Sequence, residues 1–135
     1  MLVDDGLEIL TPEACMELVA TESVGRIAIS VSALPAIFPV NFRLVNGDVV
    51  FLTGEGIKSQ AAIEGAVVGF EVDQVDAEHR AGWSVMLIGQ ARMVTDEPKI
   101  TADLRLSPWA GGARTNVVCI HPEFVSGRRI VASKS

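Results

Sequence analysis

Apolar and polar residues alternate along most of this chain, and the alternation predicts a protein built mainly from β-strands. In the run VGRIAISV, Ile27 and Ile29 fall on one face of a strand, and Arg26 and Ala28 fall on the other. The same pattern predicts strands over 24–31, 36–45, 66–75, 83–95, 116–120 and 124–131. A further strand is predicted to lead into Thr53, which brings the total to about seven. Because most of these strands follow one another through short links, antiparallel pairing into a closed barrel is favoured.

The strongest turn signal is Asn46-Gly47, which separates two apolar-rich runs. Both residues tolerate the positive φ angles of a type I′ turn, so the two runs are predicted to pair as a β-hairpin. If these two residues form the loop, Val45 faces Asp48 and Phe42 faces Phe51 across the ladder. An aromatic pair on one side of the hairpin would fix its register.

Three short helices are predicted between the strands. Thr11-Pro12-Glu13 combines a hydroxyl cap, a proline at the first helical position and an acid near the positive helix end, and the helix is predicted to run to about Thr21. A second helix is predicted over 57–64, with Gly65 as its C-terminal stop. A third is predicted over 96–106. The expected fold is therefore mainly β, a closed barrel with about three short helices.

Several strand residues predict local departures from a regular sheet. Pro39 cannot donate a ladder hydrogen bond, so its strand is expected at a sheet edge or at a bulge. Gly89, midway along a long strand, is expected to mark a bend. The first half of that strand, WSVMLI, is apolar on both faces. It should be covered by the barrel interior on one side and by a helix or another subunit on the other.

Composition narrows the classes of function. The 135 residues fit one domain, 1–135. A formal charge of −6 and the lack of a lysine or arginine cluster argue against a nucleic-acid-binding surface. No stretch approaches the roughly 18 apolar residues of a membrane span, and the N-terminus lacks the pattern of a secretory signal. A cytoplasmic protein without a membrane partner is expected.

The cysteines and histidines predict neither a disulfide nor a metal site. Cys15 and Cys119 are far apart, without a CxxC spacing, and free buried thiols are the expected state. With His79 and His121 they make no recognisable zinc spacing. His121, next to a proline between two predicted strands, is expected to lie in a turn. No Ser-His-Asp, paired-carboxylate or P-loop arrangement is visible, so hydrolysis and phosphoryl transfer have no support.

One stretch has the features of an anion site. The loop that begins at Thr53 carries a hydroxyl and exposed backbone amides, and it leads into a helix start that contains Lys58 and Ser59. A helix N-terminus with such groups attracts a phosphate. From these residues alone, a solvated lysine is the simpler interpretation of Lys58.

The order of several blocks supplies a more specific interpretation. Between Val24 and Ile130 the chain reads VGRIAISV, PVNF, VVFLTGEGIKSQAA, VVGFEVD, GWSVMLIGQARMVTD, PWAGG and VSGRRI. In order and spacing these blocks resemble the pyridoxamine 5′-phosphate oxidase-like flavoproteins, and more closely the small members than the vitamin B6 oxidases. The resemblance implies the FMN-binding split β-barrel fold. It also implies a homodimer with two cofactor sites at the subunit interface.

The resemblance further implies which residues hold FMN. The phosphate would be bound by Thr53, Lys58 and Ser59, at the loop and helix start described above. The isoalloxazine ring would rest against the PVNF strand. The residues of that strand are Pro39, Val40, Asn41 and Phe42.

The resemblance also implies that residues outside the PVNF strand lie near the flavin ring. Trp83 and Ser84 would come from the partner subunit, and Trp109 with Arg128-Arg129 would lie near the open side of the flavin. Each assignment has a structural alternative from the residues themselves. The tryptophans are equally suited to packing, and Asn41 is equally suited to capping a bulge. For the arginine pair, a solvated position near the C-terminus is the simpler interpretation.

The function implied by the resemblance is flavin-dependent oxidoreduction, with FMN transferring a hydride to or from a small apolar or nitroaromatic-like molecule. The reactive chemistry would belong to the cofactor, so no acid or base residue is required of the chain. Two alternatives stay open: a reductase that uses the deazaflavin F420, and a flavin- or ligand-binding dimer without turnover. Heme binding is a third. The sequence identifies neither the substrate nor the electron donor.

Overall fold

The computed structural model describes residues 7–53, 64–94 and 116–130. These residues form seven antiparallel strands and one helix. In chain order the elements are β1 (Leu7–Ile9), α1 (Pro12–Val19), β2 (Val24–Val31), β3 (Leu34–Val45), β4 (Asp48–Thr53), β5 (Val67–Asp76), β6 (Ala81–Val94) and β7 (Asn116–Ile130).

The strands form one sheet that closes on itself. The order β7-β4-β3-β2-β5-β6 returns to β7 through a long β6–β7 ladder, and β1 pairs with the end of β7 beside this ring. A closed sheet leaves no free edge around the barrel except where a strand outruns its neighbour. The mainly β barrel predicted from the alternation and the short links is confirmed, and it agrees with the split β-barrel fold that the resemblance implies.

The β3–β4 hairpin has the predicted register. Val45 pairs with Asp48, and Phe42 pairs with Phe51. Asn46 and Gly47 have φ angles of 53° and 85°, as a type I′ turn requires. The two residues of the turn therefore determine which side chains of β3 and β4 face the interior.

The first helix was also predicted correctly. The Thr11 hydroxyl accepts a hydrogen bond from the Ala14 backbone N–H at 3.1 Å, and the helix begins at Pro12. Its buried side chains are Cys15 and Val19, which join the main core. The helices predicted over 57–64 and 96–106 lie outside the described residues, apart from Glu64.

The two strands predicted at the end of the chain are one continuous strand, β7. Gly89 of β6 pairs with Pro122 and Ile88 pairs with Phe124, so Glu123 is an extra residue on β7 and forms a bulge. A bulge interrupts the ladder locally, which allows a strand to contain a proline without a break. The expectation of a turn at this position was therefore wrong.

The same bulge accounts for the positions of two neighbouring residues. His121 was expected to lie in a turn, but it lies within β7 and pairs with Gln90. Gly89 approaches its neighbour so closely that a Cβ atom there would overlap the His121 carbonyl oxygen. The predicted irregularity at Gly89 is confirmed, and its cause is this backbone contact.

Pro39 lies on an edge, as predicted. Residues 34–41 of β3 pair with β2, whereas residues 42–45 pair with β4. Within the described part of the chain, the half of β3 that contains Pro39 thus has one hydrogen-bonded neighbour. The missing N–H of the proline removes no ladder bond on its open side.

Three phenylalanines form the centre of the barrel. Phe42, Phe51 and Phe70 are each at most 2% exposed. The Phe70 ring meets Phe42 edge to face at a centroid distance of 5.1 Å and lies nearly parallel to Phe51 at 6.2 Å. Both arrangements are favourable aromatic geometries, so Phe70 connects the hairpin to β5.

Candidate functional site

The predicted ring-binding strand divides its side chains between two faces. Phe42 lies in the main core and Val40 packs against it, whereas Pro39 and Asn41 are on the outer face of the barrel. Phe42 is only 2% exposed, so its contribution to a ligand is limited to its backbone. Pro39 and Asn41 are the side chains that this segment offers to a bound molecule.

Asn41 has an unusual environment. Its side-chain nitrogen Nδ2 is buried, and among the described residues it is the one buried side-chain nitrogen or oxygen without a hydrogen-bond partner. A buried donor left without an acceptor costs about 1–3 kcal/mol. Asn41 pairs with Val24 at the point where β3 changes its neighbour from β2 to β4. An acceptor from outside this subunit would satisfy the donor if the amide turned outward to meet it.

Trp83 and Ser84 occupy opposite faces of β6. Trp83 is partly buried and packs against the main core, whereas Ser84 is exposed on the outer face between Asp73 and Arg128. In sheet order, β2 and β5 separate β3 from β6, which places the two strands about 14 Å apart along the sheet. One subunit therefore does not bring Ser84 next to Asn41.

The predicted phosphate site is only partly described. Thr53 is the last residue of β4, and its backbone pairs with Asn116 of β7. Lys58, Ser59 and Trp109 lie outside the described residues. Their assignment to a cofactor remains a prediction.

The outer face of the barrel carries an apolar row that crosses five strands. Cross-strand pairing places its members side by side in the order Ile37, Ala28, Gly69, Ile88 and Phe124. The large residues at the two ends, Ile37 and Phe124, are 70% and 69% exposed. Two small members of the row, Ala28 and Gly69, leave a depression beside Ile37. An exposed apolar surface of this kind marks a contact site.

The depression is a groove of about 220 Å³, the outer groove. It is lined by Arg26, Ala28, Ile37, Gly69, Phe70, Glu71 and Met86. Met86 of the WSVMLI strand is 46% exposed here, whereas its neighbours Val85 and Leu87 are buried in the barrel. The strand was expected to be covered by the barrel interior on one face and by a helix or another subunit on the other. In one subunit the barrel interior covers the face that carries Val85 and Leu87, and Met86 on the other face is partly exposed.

A charged cluster lies at the edge of the outer groove. One guanidinium nitrogen of Arg26, Nη1, is 3.1 Å from Glu71 Oε1 and 3.4 Å from Asp73 Oδ2. Burial, followed by the hydrogen bond with Asp73 and the repulsion from its charge, raises the pKa of the Glu71 carboxyl to about 7, although Arg26 acts in the opposite direction. The pair thus retains a proton near neutral pH.

This cluster is not evident from the sequence. The alternation places Arg26 on the polar face of β2 and Glu71 on that of β5, which was the available signal. The contact also requires the β2–β5 register, and no tight turn connects these strands. Only the structure shows that Arg26 pairs directly with Glu71.

Polar side chains also meet on the other side of the barrel. Asp48 Oδ1 is 2.7 Å from His121 Nδ1, and its Oδ2 accepts a hydrogen bond from the Cys119 thiol at 3.4 Å. Burial, followed by the contact with Asp48, raises the pKa of the Cys119 thiol, and burial likewise raises the pKa of the Cys15 thiol. Neither environment favours a thiolate nucleophile. Both cysteines are free and buried, as predicted.

Within 7–53, 64–94 and 116–130, no three histidine, cysteine, aspartate or glutamate side chains are grouped so that they could hold a metal ion. No helix in these ranges has the length and apolar character needed to cross a membrane.

Comparison with known proteins gives consistent matches. A family model described as pyridoxamine 5′-phosphate oxidase matches residues 11–129. An uncharacterised protein of Mycobacterium tuberculosis is 40% identical over 129 residues, covering 91% of this chain and 85% of that protein. The solved structure of the FAD binding protein from Mycobacterium smegmatis is 34% identical, with a TM-score of 0.71, over 93% of this chain and 99% of that one. A conserved protein of unknown function from Corynebacterium diphtheriae is also 34% identical, with a TM-score of 0.75, over 94% and 100%.

Proposed function

This chain belongs to the pyridoxamine 5′-phosphate oxidase family, and on that premise we propose that it is a homodimeric flavin-dependent oxidoreductase. The observation that carries the proposal is the 34% identity, over 93% of the chain, to a structure described as FAD binding. Flavin nucleotides are therefore the class of cofactor we assign to the chain. FMN is the flavin implied by the sequence blocks, and FAD is the flavin of the similar structure.

The residues on the outer face are compatible with a flavin. The pyrimidine edge of the flavin ring carries carbonyl oxygens and ring nitrogens, which are the acceptors that the buried Asn41 donor lacks. Pro39, on the same face, offers an apolar surface for the ring. We assign Thr53, Lys58 and Ser59 to the phosphate on the basis of the resemblance.

Two observations on one subunit support the proposed homodimer. The apolar row is open to solvent, with 70% of Ile37 and 69% of Phe124 exposed. The two predicted parts of the cofactor site, on β3 and at Ser84 of β6, lie about 14 Å apart in the sheet. A second copy that covers the row would bring its own β6 to the first copy's β3, and it would cover the outer side of Met86.

In this proposal the flavin supplies hydride transfer at its ring. The chain binds the ring through Asn41, excludes water through the apolar row, and leaves room for a small substrate. Because the thiols of Cys15 and Cys119 stay protonated, we assign neither a catalytic role. The substrate class is a small apolar or nitroaromatic-like molecule.

The direct test is the absorption spectrum of the purified protein, followed by chromatography and mass spectrometry of the released cofactor. A flavin spectrum that bleaches under anaerobic conditions with a reduced nicotinamide is the expected result. A bound deazaflavin would replace the flavin assignment with F420. A flavin that no donor reduces would favour a non-catalytic binding dimer. A colourless protein that binds no flavin in fluorescence titration would refute the proposal.

Replacing Asn41 with leucine separates ligand binding from folding. Leucine removes the unsatisfied donor at similar volume, so the cofactor-free protein should become more stable by about 1 kcal/mol. Loss of the hydrogen bond to the ring should weaken flavin binding by about tenfold. The measurements are urea unfolding of the cofactor-free protein and a fluorescence titration.

The control for this substitution is Ser30→Ala, at an exposed position on the outer face of β2. It should change neither quantity. Unchanged flavin affinity in Asn41→Leu would show that Asn41 does not contact the cofactor. A large loss of stability without cofactor would instead indicate that its amide has a structural role.

A further inference from the structure

The Arg26–Glu71–Asp73 cluster lies on the face that we assign to the subunit contact. Glu71 and Arg26 line the outer groove, together with the apolar side chains of Ile37 and Met86. The side chains of Glu71 and Asp73 are 35% and 27% exposed, so both still contact water in one subunit. Covering the groove would remove much of that water.

The charges around Glu71 do not balance. Its neighbour on the same face of β5 is the acid Asp73, and its partner on β2 is Arg26. On β6 it faces uncharged Met86, and beyond Arg26 β3 carries uncharged Pro39. The next cation is Arg128 of β7, which pairs with Ser84, the partner of Asp73. Two carboxylates therefore share one adjacent guanidinium, which leaves a charge of about −1 if neither is protonated.

Burying an uncompensated charge is unfavourable, and one retained proton removes it. Building on the homodimer proposed above, we propose that the Glu71–Asp73 pair takes up a proton when a second copy covers the outer groove, so that acid strengthens subunit association. Each of the two subunits would contribute one such pair.

The direction of the pH dependence follows from the protonation of each state. In the separate subunit the pKa of Glu71 is about 7, and further loss of water in the dimer raises it. The dimer therefore holds more protons than two separate subunits above pH 7, and association weakens as the pH rises. Well below pH 7 both states are protonated and the dependence ends. We expect the dissociation constant to be at least about tenfold lower at pH 6.5 than at pH 8.5.

The test is sedimentation equilibrium of the full chain over a dilution series at pH 6.5 and 8.5. The wild type should show the tenfold difference. Glu71→Gln, which cannot ionise, should associate tightly at both pH values. Asp73 opposes ionisation of Glu71, so Asp73→Asn should lower the pKa of Glu71. We therefore expect this variant to lose tight association at a lower pH than the wild type. Glu17→Gln, at an exposed position on α1, is the charge-matched control and should behave like wild type.

The outcomes distinguish this inference from the proposed dimer. A dimer whose dissociation constant is equal at both pH values would overturn the inference alone. So would a pH dependence that persists unchanged in Glu71→Gln. A chain that stays monomeric under all conditions would overturn both the homodimer and the inference.

Discussion

Replacing Phe70 with alanine is expected to lower the free energy of unfolding by about 3–5 kcal/mol. Phe70 is 1% exposed, and its ring contacts Phe42 and Phe51 at the centre of the barrel. Removing it loses buried apolar area and leaves a cavity that closed strands cannot collapse to fill. For a domain stabilised by about 5–15 kcal/mol, this is a large fraction of the total. Urea unfolding monitored by tryptophan fluorescence gives the value.

Gly25 provides a specific check of this interpretation. A Cβ atom at Gly25 would lie 2.5 Å from the edge of the Phe70 ring, so Gly25→Ala should destabilise the wild type by about 1–3 kcal/mol. In the Phe70→Ala background the ring is gone and the same change should cost less. Leu34→Ala, at a position 70% exposed, is the surface control. Additive effects of the Gly25 and Phe70 changes would contradict the contact.

Placing a charge on the apolar row is expected to separate the subunits and weaken flavin binding by at least about 100-fold. Ile37→Glu alters a side chain that is 70% exposed in one subunit, so folding of that subunit should be nearly unaffected. In the proposed dimer the carboxylate would be buried without a partner, which costs several kcal/mol. Sedimentation velocity measures the assembly, and fluorescence titration measures the flavin affinity.

Phe124→Glu, at the other end of the row, should have the same effect. Leu34→Glu is the matched control, because Leu34 is equally exposed but lies at the β2–β3 turn on the other face of its strand. A dimer that survives both row variants would show that the subunits meet elsewhere. Loss of the dimer in the Leu34 variant alone would point to the β2–β3 turn.

Local signals in the sequence were sufficient for much of the barrel. The register of the β3–β4 hairpin depended on two adjacent residues, Asn46 and Gly47, whose backbone preferences are specific. The start of α1 at Pro12 depended on the Thr11 cap, which acts within one helical turn. Such features are encoded over a few residues, so they can be predicted before any tertiary contact is known.

Features that depend on distant pairing were missed. The predicted break at Pro122 is a bulge because β6 continues the ladder on both sides of it. The three-residue strand β1 exists through its pairing with residues 128–130 and has too few residues to show a period. The contact of Arg26 with Glu71 likewise depends on a register between strands that no tight turn connects.

The candidate site was predicted less completely than the fold, for a related reason. Asn41 and Phe42 are adjacent in the strand and therefore lie on opposite faces, but the missing hydrogen-bond partner of the Asn41 amide is a property of the packed barrel. The separation of β3 from β6, about 14 Å along the sheet, follows from the order of the strands. The alternation of apolar and polar residues does not determine that order. The assignments of Lys58, Ser59 and Trp109 depend on the family resemblance and stay predictions.

The central position of β7 has a consequence for how the chain reaches its native state during synthesis. β7 pairs with β1, β4 and β6, yet it is formed by residues 116–130, after all its partners have left the ribosome. Until then β4 and β6 each expose an unpaired edge that could join a neighbouring chain. Contacts between residues so far apart in sequence also slow folding. Nascent chains that end before β7 should therefore be the species most in need of chaperones.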